Sequence, residues 1–161
     1  AVLRMLVPKM DIICTPYRVK NKPEVAEYTV SFPDPENIKI LPWDLVEILE
    51  GPAGLMLIHR RVFEKLMEKY PEMKCNFPDE ARAKFNREIG TESDAAAKYL
   101  WNFWETPFKD GIYKGEDIAF CNLCTKAGFK IYANLDSGTT HHGSYGWKGR
   151  FGDFLVKKKA E

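Results

Sequence analysis

The chain has 161 residues, of which 45% are apolar and 29% charged, an ordinary composition for one globular domain with a hydrophobic core. Its 24 basic and 23 acidic side chains nearly cancel, which excludes a broad electrostatic attraction to nucleic acid or anionic lipid. No apolar run approaches the about 18 residues that a membrane-spanning helix needs. We therefore expect a single domain over residues 1–161, with no nucleic-acid partner and no membrane span in this segment.

The first predicted elements are a helix and a short buried strand. The segment "AVLRMLV" carries Val2, Leu3 and Leu6 at helical spacing, and "DIICTPY" is typical of a buried strand that Pro16 stops. The chain opens without Met and with a helix already in progress, so we expect it to begin inside a larger unit. Further on, "EYTVSF" alternates as a strand does, and "PDPEN" has the composition of a turn.

The clearest local pattern is a Gly/Pro loop that leads into a strand and then a helix. In "GPAGLMLIHRRVFEKLMEKY" the apolar run from Leu55 to Ile58 predicts the strand. The helix that follows has an apolar stripe of Val62, Phe63, Leu66 and Met67, and Pro71 ends it. The segment "DLVEILE" before the loop fits a strand and a helix equally well. Residues 72–92 are polar and irregular, and predict a surface loop.

The last third of the chain predicts two helices, a strand and a loop. The segment "ESDAAAKYLWNFWETPF" combines good helix formers with a dense aromatic cluster. Gly115 precedes an amphipathic helix that turns Ile118, Phe120 and Leu123 to the core, and Gly128 lies where a helix C-cap belongs. The strand "FKIYANL" follows, then a Gly- and His-rich loop and a polar tail. Strands that alternate with helices predict an α/β domain with helices packed on a sheet.

The four cysteines do not form a regular disulfide framework, which favours a reducing compartment. Cys121 and Cys124 form one CxxC, but a zinc site would need a second pair of ligands. This CxxC also falls inside a predicted helix, whereas a redox pair opens one. We therefore predict two small side chains on the buried face of that helix.

An acidic pair and a histidine pair are the candidate chemical groups. Glu116 and Asp117 open a helix, where carboxylates cap free amides, so a purely structural role is one interpretation. The other is that one carboxylate faces a cleft at the carboxyl end of the sheet and acts as a general base. His141 and His142 follow the next strand and so reach the same end, where a neutral imidazole could bind a manganese-like or zinc-like ion. Adjacent residues on a strand point opposite ways, so only one of the two is expected to face the site. His59, among arginines at a strand–helix junction, is predicted to be structural.

Taken together, "EGPAGLMLIHRRVFEKL" and "GEDIAFCNLCTKAGFKIYANLDSGTTHHGSYGW" resemble the C-terminal half of a glycosyltransferase with the GT-A fold, in the broad family-two-like group. Such proteins place a small-residue loop before a strand and helix, then an acidic pair before a helix, then a closing "HxG". The resemblance covers roughly residues 8–148. It implies a partial GT-A-like mixed sheet flanked by helices, and transfer of a sugar from a nucleotide-sugar donor to an acceptor hydroxyl, with inversion.

The resemblance also implies roles for individual residues. Asp117 matches the base that deprotonates the acceptor, Glu116 its partner, and His141 the metal ligand. The residues placed on the acceptor side are Gly51, Ala53 and Gly54 in the small-residue loop and the aromatic side chains Trp101, Trp104, Tyr145 and Trp147. Aromatic rings suit the apolar face of a sugar, although packing in the core is the competing interpretation for each. The implied cofactor is a divalent metal, Mn²⁺ or Mg²⁺, in the complete domain only, and the implied location is the cytoplasm or the cytoplasmic face of a membrane.

The sequence departs from the pattern of that family at its N-terminal side. The family holds metal and diphosphate with an Asp-x-Asp motif after an apolar strand, and this chain has none; the nearest candidate, Asp34-Pro35-Glu36, lies in a predicted turn. We therefore expect the nucleotide-binding half to be absent, the 161 residues alone to be inactive or badly impaired, and the exposed sheet edge to favour self-association.

Two alternatives remain open at this point. One is a non-catalytic carbohydrate-binding or assembly module on the same scaffold. The other is a small metal-dependent hydrolase that uses Asp117, His141 and His142 as ligands.

Overall fold

A mixed β-sheet organises the chain in the computed structural model, which describes residues 2–21, 24, 26–88, 90 and 99–160. Within them the strands are β1 Ile12–Cys14, β2 Ile40–Leu41, β3 Leu45–Ile48, β4 Met56–Ile58, β5 Phe108–Lys109, β6 Ile112–Tyr113, β7 Ile131–Asn134, β8 Gly138–His142 and β9 Gly146–Arg150. The helices are α1 Val2–Leu6, α2 Arg60–Lys69, α3 Asp79–Glu88, α4 Glu116–Lys126 and α5 Phe151–Ala160, and short 3₁₀ turns cover Ala53–Leu55 and Pro71–Met73. None of the helices in these ranges is long and apolar enough to cross a bilayer.

The central sheet has five strands in the order β2-β3-β7-β1-β4. The neighbouring strands β1 and β7 run parallel, and the other three pairings are antiparallel. Two further sheets are hairpins, one from β5 and β6 and the other from β8 and β9. The prediction of an α/β domain with a mixed sheet flanked by helices is confirmed at this level.

The two faces of the sheet carry cores of very different size, because neighbouring residues on a strand point to opposite faces. On β1, Ile12 and Cys14 join the larger core, whereas Ile13 joins a smaller one with Met5 and Leu45. The larger core holds the fully buried side chains of α2, α4 and α5. Burial of each large apolar side chain contributes roughly 1.5–3 kcal/mol to the free energy of folding. Those side chains are Val62, Leu66, Phe120, Cys121, Cys124 and Phe151. On the other face, α1 covers the small core with Met5, and the outer side chains of α1 are exposed.

The predicted helices α2 and α4 are confirmed, with their caps. His59 is the N-cap of α2, where its Nδ1 accepts from the Arg61 backbone N–H at 3.1 Å, which gives this histidine the structural role predicted for it. Gly115 is the N-cap of α4. Gly128 ends that helix with φ of +97°, a conformation that glycine adopts without strain.

Three segments differ from the sequence prediction. Residues 79–88 form the helix α3 rather than the predicted loop. None of its residues is buried, so the sequence has no apolar period there, and the acidic first turn is what favours a helix. The Gly- and His-rich loop is the hairpin of β8 and β9, and the polar tail is α5, which buries Phe151 and Leu155. The predicted strand "EYTVSF" pairs only through isolated bridges, Arg18 with Tyr28 and Ser31 with Glu50. The helix formers at 91–98 lie outside the described residues.

Candidate functional site

Four pieces of the chain meet at one end of the sheet, where β1 and β7 finish. Because β1 and β7 are parallel, the segments after both strands leave at the same end, and the antiparallel β4 begins there. The helix α4 precedes β7 and must run back along it, so the start of α4 also lies at this end. The fold therefore assembles Tyr17, the loop 51–54, Asp117 and the hairpin that carries His141.

The loop 51–54 is held against α4 by a network centred on Glu50. The Glu50 carboxylate accepts from Ser31 Oγ and from Asn122 Nδ2, each at 3.0 Å. The Cys121 thiol donates to the Gly51 carbonyl at 3.5 Å. Gly51 is itself buried, since a Cβ there would lie 2.6 Å from Ile48 Cδ1 and 2.7 Å from the Cys14 sulfur. The small residues of this loop are thus required by packing as well as suited to a ligand.

Asp117 stands in the first turn of α4, half-buried, beside an exposed Glu116. Its Oδ1 accepts from the backbone N–H of Ile118 at 2.8 Å, so part of its role is to satisfy a free amide at the helix start. The carboxylate keeps a second oxygen, which can accept a proton or a hydrogen bond from a ligand. Capping and a chemical role are therefore compatible in this residue.

His141 lies on β8 with its imidazole orientation fixed by the backbone. Its Nδ1 is 2.8 Å from the Arg18 carbonyl oxygen, and a carbonyl only accepts, so Nδ1 carries a proton and, in the neutral imidazole, Nε2 carries the lone pair. This tautomer is the one in which a histidine binds a metal or accepts a proton through Nε2. His142 is exposed and, as the next residue on the strand, points to the opposite side.

Tyr17 connects these groups and was missed by the sequence reasoning. Its ring centroid lies 4.4 Å from that of His141, and its ring approaches Gly54 closely. Burial raises the pKa of the Tyr17 phenol, the Asp117 and Glu116 carboxylates raise it further, and the Gly54 backbone opposes them. Tyr17 therefore contacts His141, and the charge of the acid pair acts on its phenol. The available signal was its position directly after the first buried strand.

Two of the predicted aromatic residues line a cavity on the α2 side of α4. Trp104 is 37% exposed and stacks on Phe120 with centroids 4.0 Å apart, while Trp101 stacks on Phe103 at 5.5 Å. Together with side chains of α2 they enclose about 420 Å³. Phe120, on which Trp104 stacks, belongs to α4 and is three residues after Asp117.

The other two aromatic residues differ in accessibility. Tyr145, at the turn between β8 and β9, is 53% exposed and meets Trp147 edge to face at 5.3 Å. Trp147 is only 6% exposed, and its Nε1 donates to the Asn21 carbonyl at 2.9 Å. Tyr145 can present a ring face to a ligand, whereas the Trp147 indole is buried and hydrogen-bonded to the segment at Asn21.

The cysteines beneath the loop 51–54 are structural. Cys14, Cys121 and Cys124 are fully buried and unpaired, as predicted for the CxxC pair. Burial raises the pKa of the Cys121 thiol to about 11 and that of Cys124 to about 12. Because the thiolate is the reactive form, these groups are poor nucleophiles at neutral pH.

The described residues do not by themselves fit a resident metal ion. Among the residues in the described ranges, no group of three His, Cys, Asp or Glu side chains lies close enough to hold one. His141 offers a single nitrogen, because its Nδ1 is engaged with the Arg18 carbonyl.

Comparison with known proteins identified no relative: no family model, no curated protein and no solved structure matches this chain.

Proposed function

We propose that this chain forms the acceptor-side and catalytic-base part of a glycosyltransferase with the GT-A fold, which moves a sugar from a nucleotide-sugar to a hydroxyl. The observation that supports it best is the meeting of the α4 carboxylates, the small-residue loop and His141 around Tyr17. Ligands in open α/β sheets bind at the carboxyl ends of the strands, which is where these groups lie. The roles of the individual residues come from the resemblance of the motifs.

The reaction would be a single displacement with Asp117 as the base. The acceptor oxygen forms a bond to the anomeric carbon of the donor sugar while the bond from that carbon to the diphosphate oxygen breaks. The acceptor proton moves to the free oxygen of Asp117 as the new bond forms. Glu116 would contact the acceptor beside it. Gly51, Ala53 and Gly54 would allow the sugar to approach the backbone, with Trp104 and Tyr145 as the accessible stacking rings.

The metal and the location remain part of the proposal. A Mn²⁺ or Mg²⁺ ion bound with the donor diphosphate would receive one ligand from His141 Nε2 and the others from outside the described residues. The four unpaired thiols suit a cytoplasmic location or the cytoplasmic face of a membrane.

The first test is the substitution Asp117→Asn in the full polypeptide that contains this chain. Sugar transfer should be assayed with a panel of nucleotide-sugars and simple glycoside acceptors. Loss of the general base is expected to lower kcat by about 10²–10⁴-fold, while glycoside binding, followed by amide NMR shifts at Gly54, persists. The control is Asp110→Asn, an acid in the tight turn of the hairpin of β5 and β6.

Retained transfer in the Asp117→Asn protein would refute the role of Asp117 as the general base. Glycoside binding that persists with no transfer by the unsubstituted polypeptide would instead favour the non-catalytic carbohydrate-binding module.

A further inference from the structure

We propose that Tyr17 is a positioning residue whose ring couples the loop 51–54 to the His141 imidazole, so that an acceptor glycoside seated on the loop alters the placement of His141. The coupling of acceptor to chemistry rests on the proposed function, whereas the contact chain itself belongs to the fold.

The first contact in this chain is between Gly54 and the Tyr17 ring. A Cβ at Gly54 would lie 2.6 Å from Tyr17 Cε1 and 3.1 Å from both Cζ and the hydroxyl oxygen. The ring therefore rests directly on the glycine backbone. A displacement of the loop toward the ring at this point must displace the ring, since packed groups cannot interpenetrate.

The second contact is between the Tyr17 ring and His141. Their centroids are 4.4 Å apart with the planes inclined at 57°, a typical separation for a packed aromatic pair. The imidazole is held on its other side by the Arg18 carbonyl at 2.8 Å. Two consecutive residues, Tyr17 and Arg18, thus determine both the plane and the tautomer of His141.

The segment that carries Tyr17 is attached to the hairpin and not free to yield. Thr139 Oγ1 donates to the Pro16 carbonyl at 3.4 Å, two residues before His141 on the same strand. Pro16 itself has a fixed backbone φ. This bond and the proline restrain residues 16–18, which favours transmission of a push on the ring to His141.

These contacts make Gly54 and His141 energetically coupled although they belong to different elements. By linkage, if a ligand on the loop changes the affinity for a ligand at His141 by some factor, the ligand at His141 changes the affinity of the loop by the same factor. In a sugar transferase, binding of the acceptor on the loop 51–54 would then affect the position of His141, which is proposed to act beside the departing diphosphate.

The test is a double-mutant cycle read at His141 by imidazole ¹⁵N NMR of the folded chain. Gly54→Ala should move the His141 signals, because the added methyl group displaces the ring. Tyr17→Leu should move them too, and Gly54→Ala should then add nothing in the Tyr17→Leu background. Tyr17→Phe keeps the ring and should move the His141 signals less than Tyr17→Leu does. Gly138→Ala is the matched control, since no atom lies within 4 Å of a Cβ built there.

Unchanged His141 signals in Gly54→Ala, or full additivity in the double variant, would overturn the coupling. Thermal unfolding of each variant separates this result from loss of fold. If Tyr17→Leu does not fold, the comparison of Gly54→Ala with Gly138→Ala and the Tyr17→Phe spectrum still decide.

Kinetics of the full polypeptide give the second readout. Tyr17→Leu should lower kcat by about 10–10²-fold with KM for the donor little changed, as expected for a misplaced group, and Tyr17→Phe, which keeps the ring, should lose less. Equal loss in both variants would contradict a role for the ring. NMR coupling without any transfer by the unsubstituted polypeptide would refute the proposed function and leave the contact chain standing.

Discussion

At the scale of single residues, the site depends on positions where almost no side chain fits. Gly51 is buried between Ile48 and Cys14, and its carbonyl accepts from the Cys121 thiol. "GPAG" indicated a loop in the sequence, but not that its first glycine is enclosed by the core of the sheet. Residue type alone does not report which neighbours a backbone approaches.

Gly51→Ala is expected to lower the free energy of unfolding by about 1–3 kcal/mol, because the added Cβ overpacks a closed site. Gly138→Ala, in open space, should change it by no more than about 0.5 kcal/mol. Urea denaturation of both variants measures the difference. Equal stability would show that Ile48 and Cys14 repack freely around the new methyl group.

The buried thiols predict alkaline destabilisation. The folded pKa values of Cys121 and Cys124, about 11 and about 12, exceed the unfolded value of 9.0, so the folded state keeps protons that the unfolded chain loses. The stability that the protonated thiols contribute is complete below pH 9 and is lost as the pH rises through 11 to 12. The free energy of unfolding then falls by up to about 1.4 kcal/mol per pH unit for each thiol.

Urea midpoints between pH 8 and 11 test this expectation. The Cys121→Ala/Cys124→Ala protein should show a flatter pH dependence than the parent. An identical slope in the two proteins would assign the alkaline loss to other groups.

Accessibility orders the cysteines by reactivity. Cys75 is half-buried, whereas the other three thiols are fully buried with raised pKa. Alkylation of the native protein with iodoacetamide at pH 8, followed by peptide mass mapping, should label Cys75 first, and Cys75→Ser should remove the fast phase. Rapid labelling of Cys121 would contradict the buried arrangement under the loop.

At the scale of elements, helices with an apolar stripe were predicted well and exposed or short elements were not. The stripe of α2 is real, with Val62 and Leu66 fully buried. The helix α3 has no buried residue, so it carries no period to detect. In the hairpin of β8 and β9, Gly and His residues suggested a loop, whereas pairing across the turn, His141 with Trp147, imposes strands. Tertiary pairing here overrides local composition.

The same contrast predicts uneven local stability. Amides of α3 should exchange with solvent orders of magnitude faster than those of α2 and α4, because opening α3 exposes little apolar surface. Hydrogen exchange followed by NMR measures this directly. Comparable protection in α3 and α2 would mean that α3 is covered by another part of the protein.

At the scale of the whole molecule, the five-stranded sheet ends in β2 on one side and β4 on the other. Edge strands offer unpaired backbone groups to other chains, and exposed apolar residues beside them strengthen that tendency. Ile40 on β2 is 56% exposed. The self-association predicted from the sequence has this edge as its candidate surface.

Sedimentation over a tenfold concentration range is expected to show weak association that Ile40→Lys reduces, since a charge on an edge strand opposes pairing. Ile112→Lys is the matched control, because Ile112 is 62% exposed and belongs to the separate hairpin of β5 and β6. Equal behaviour of the two variants would exclude the β2 edge.

The sequence by itself determined the α/β class, the helices α2 and α4, the buried strands β1 and β7, and the acid and imidazole of interest. These follow from apolar periodicity and from residue chemistry, which are local properties. Only the tertiary structure decided that β1 and β7 run parallel, which brings the segments after both strands to the same end of the sheet. It likewise decided that Tyr17 stands between Gly54 and His141. Gly54 is 37 positions from Tyr17 along the chain and His141 is 124 positions from it, so the three become neighbours only when the sheet has formed.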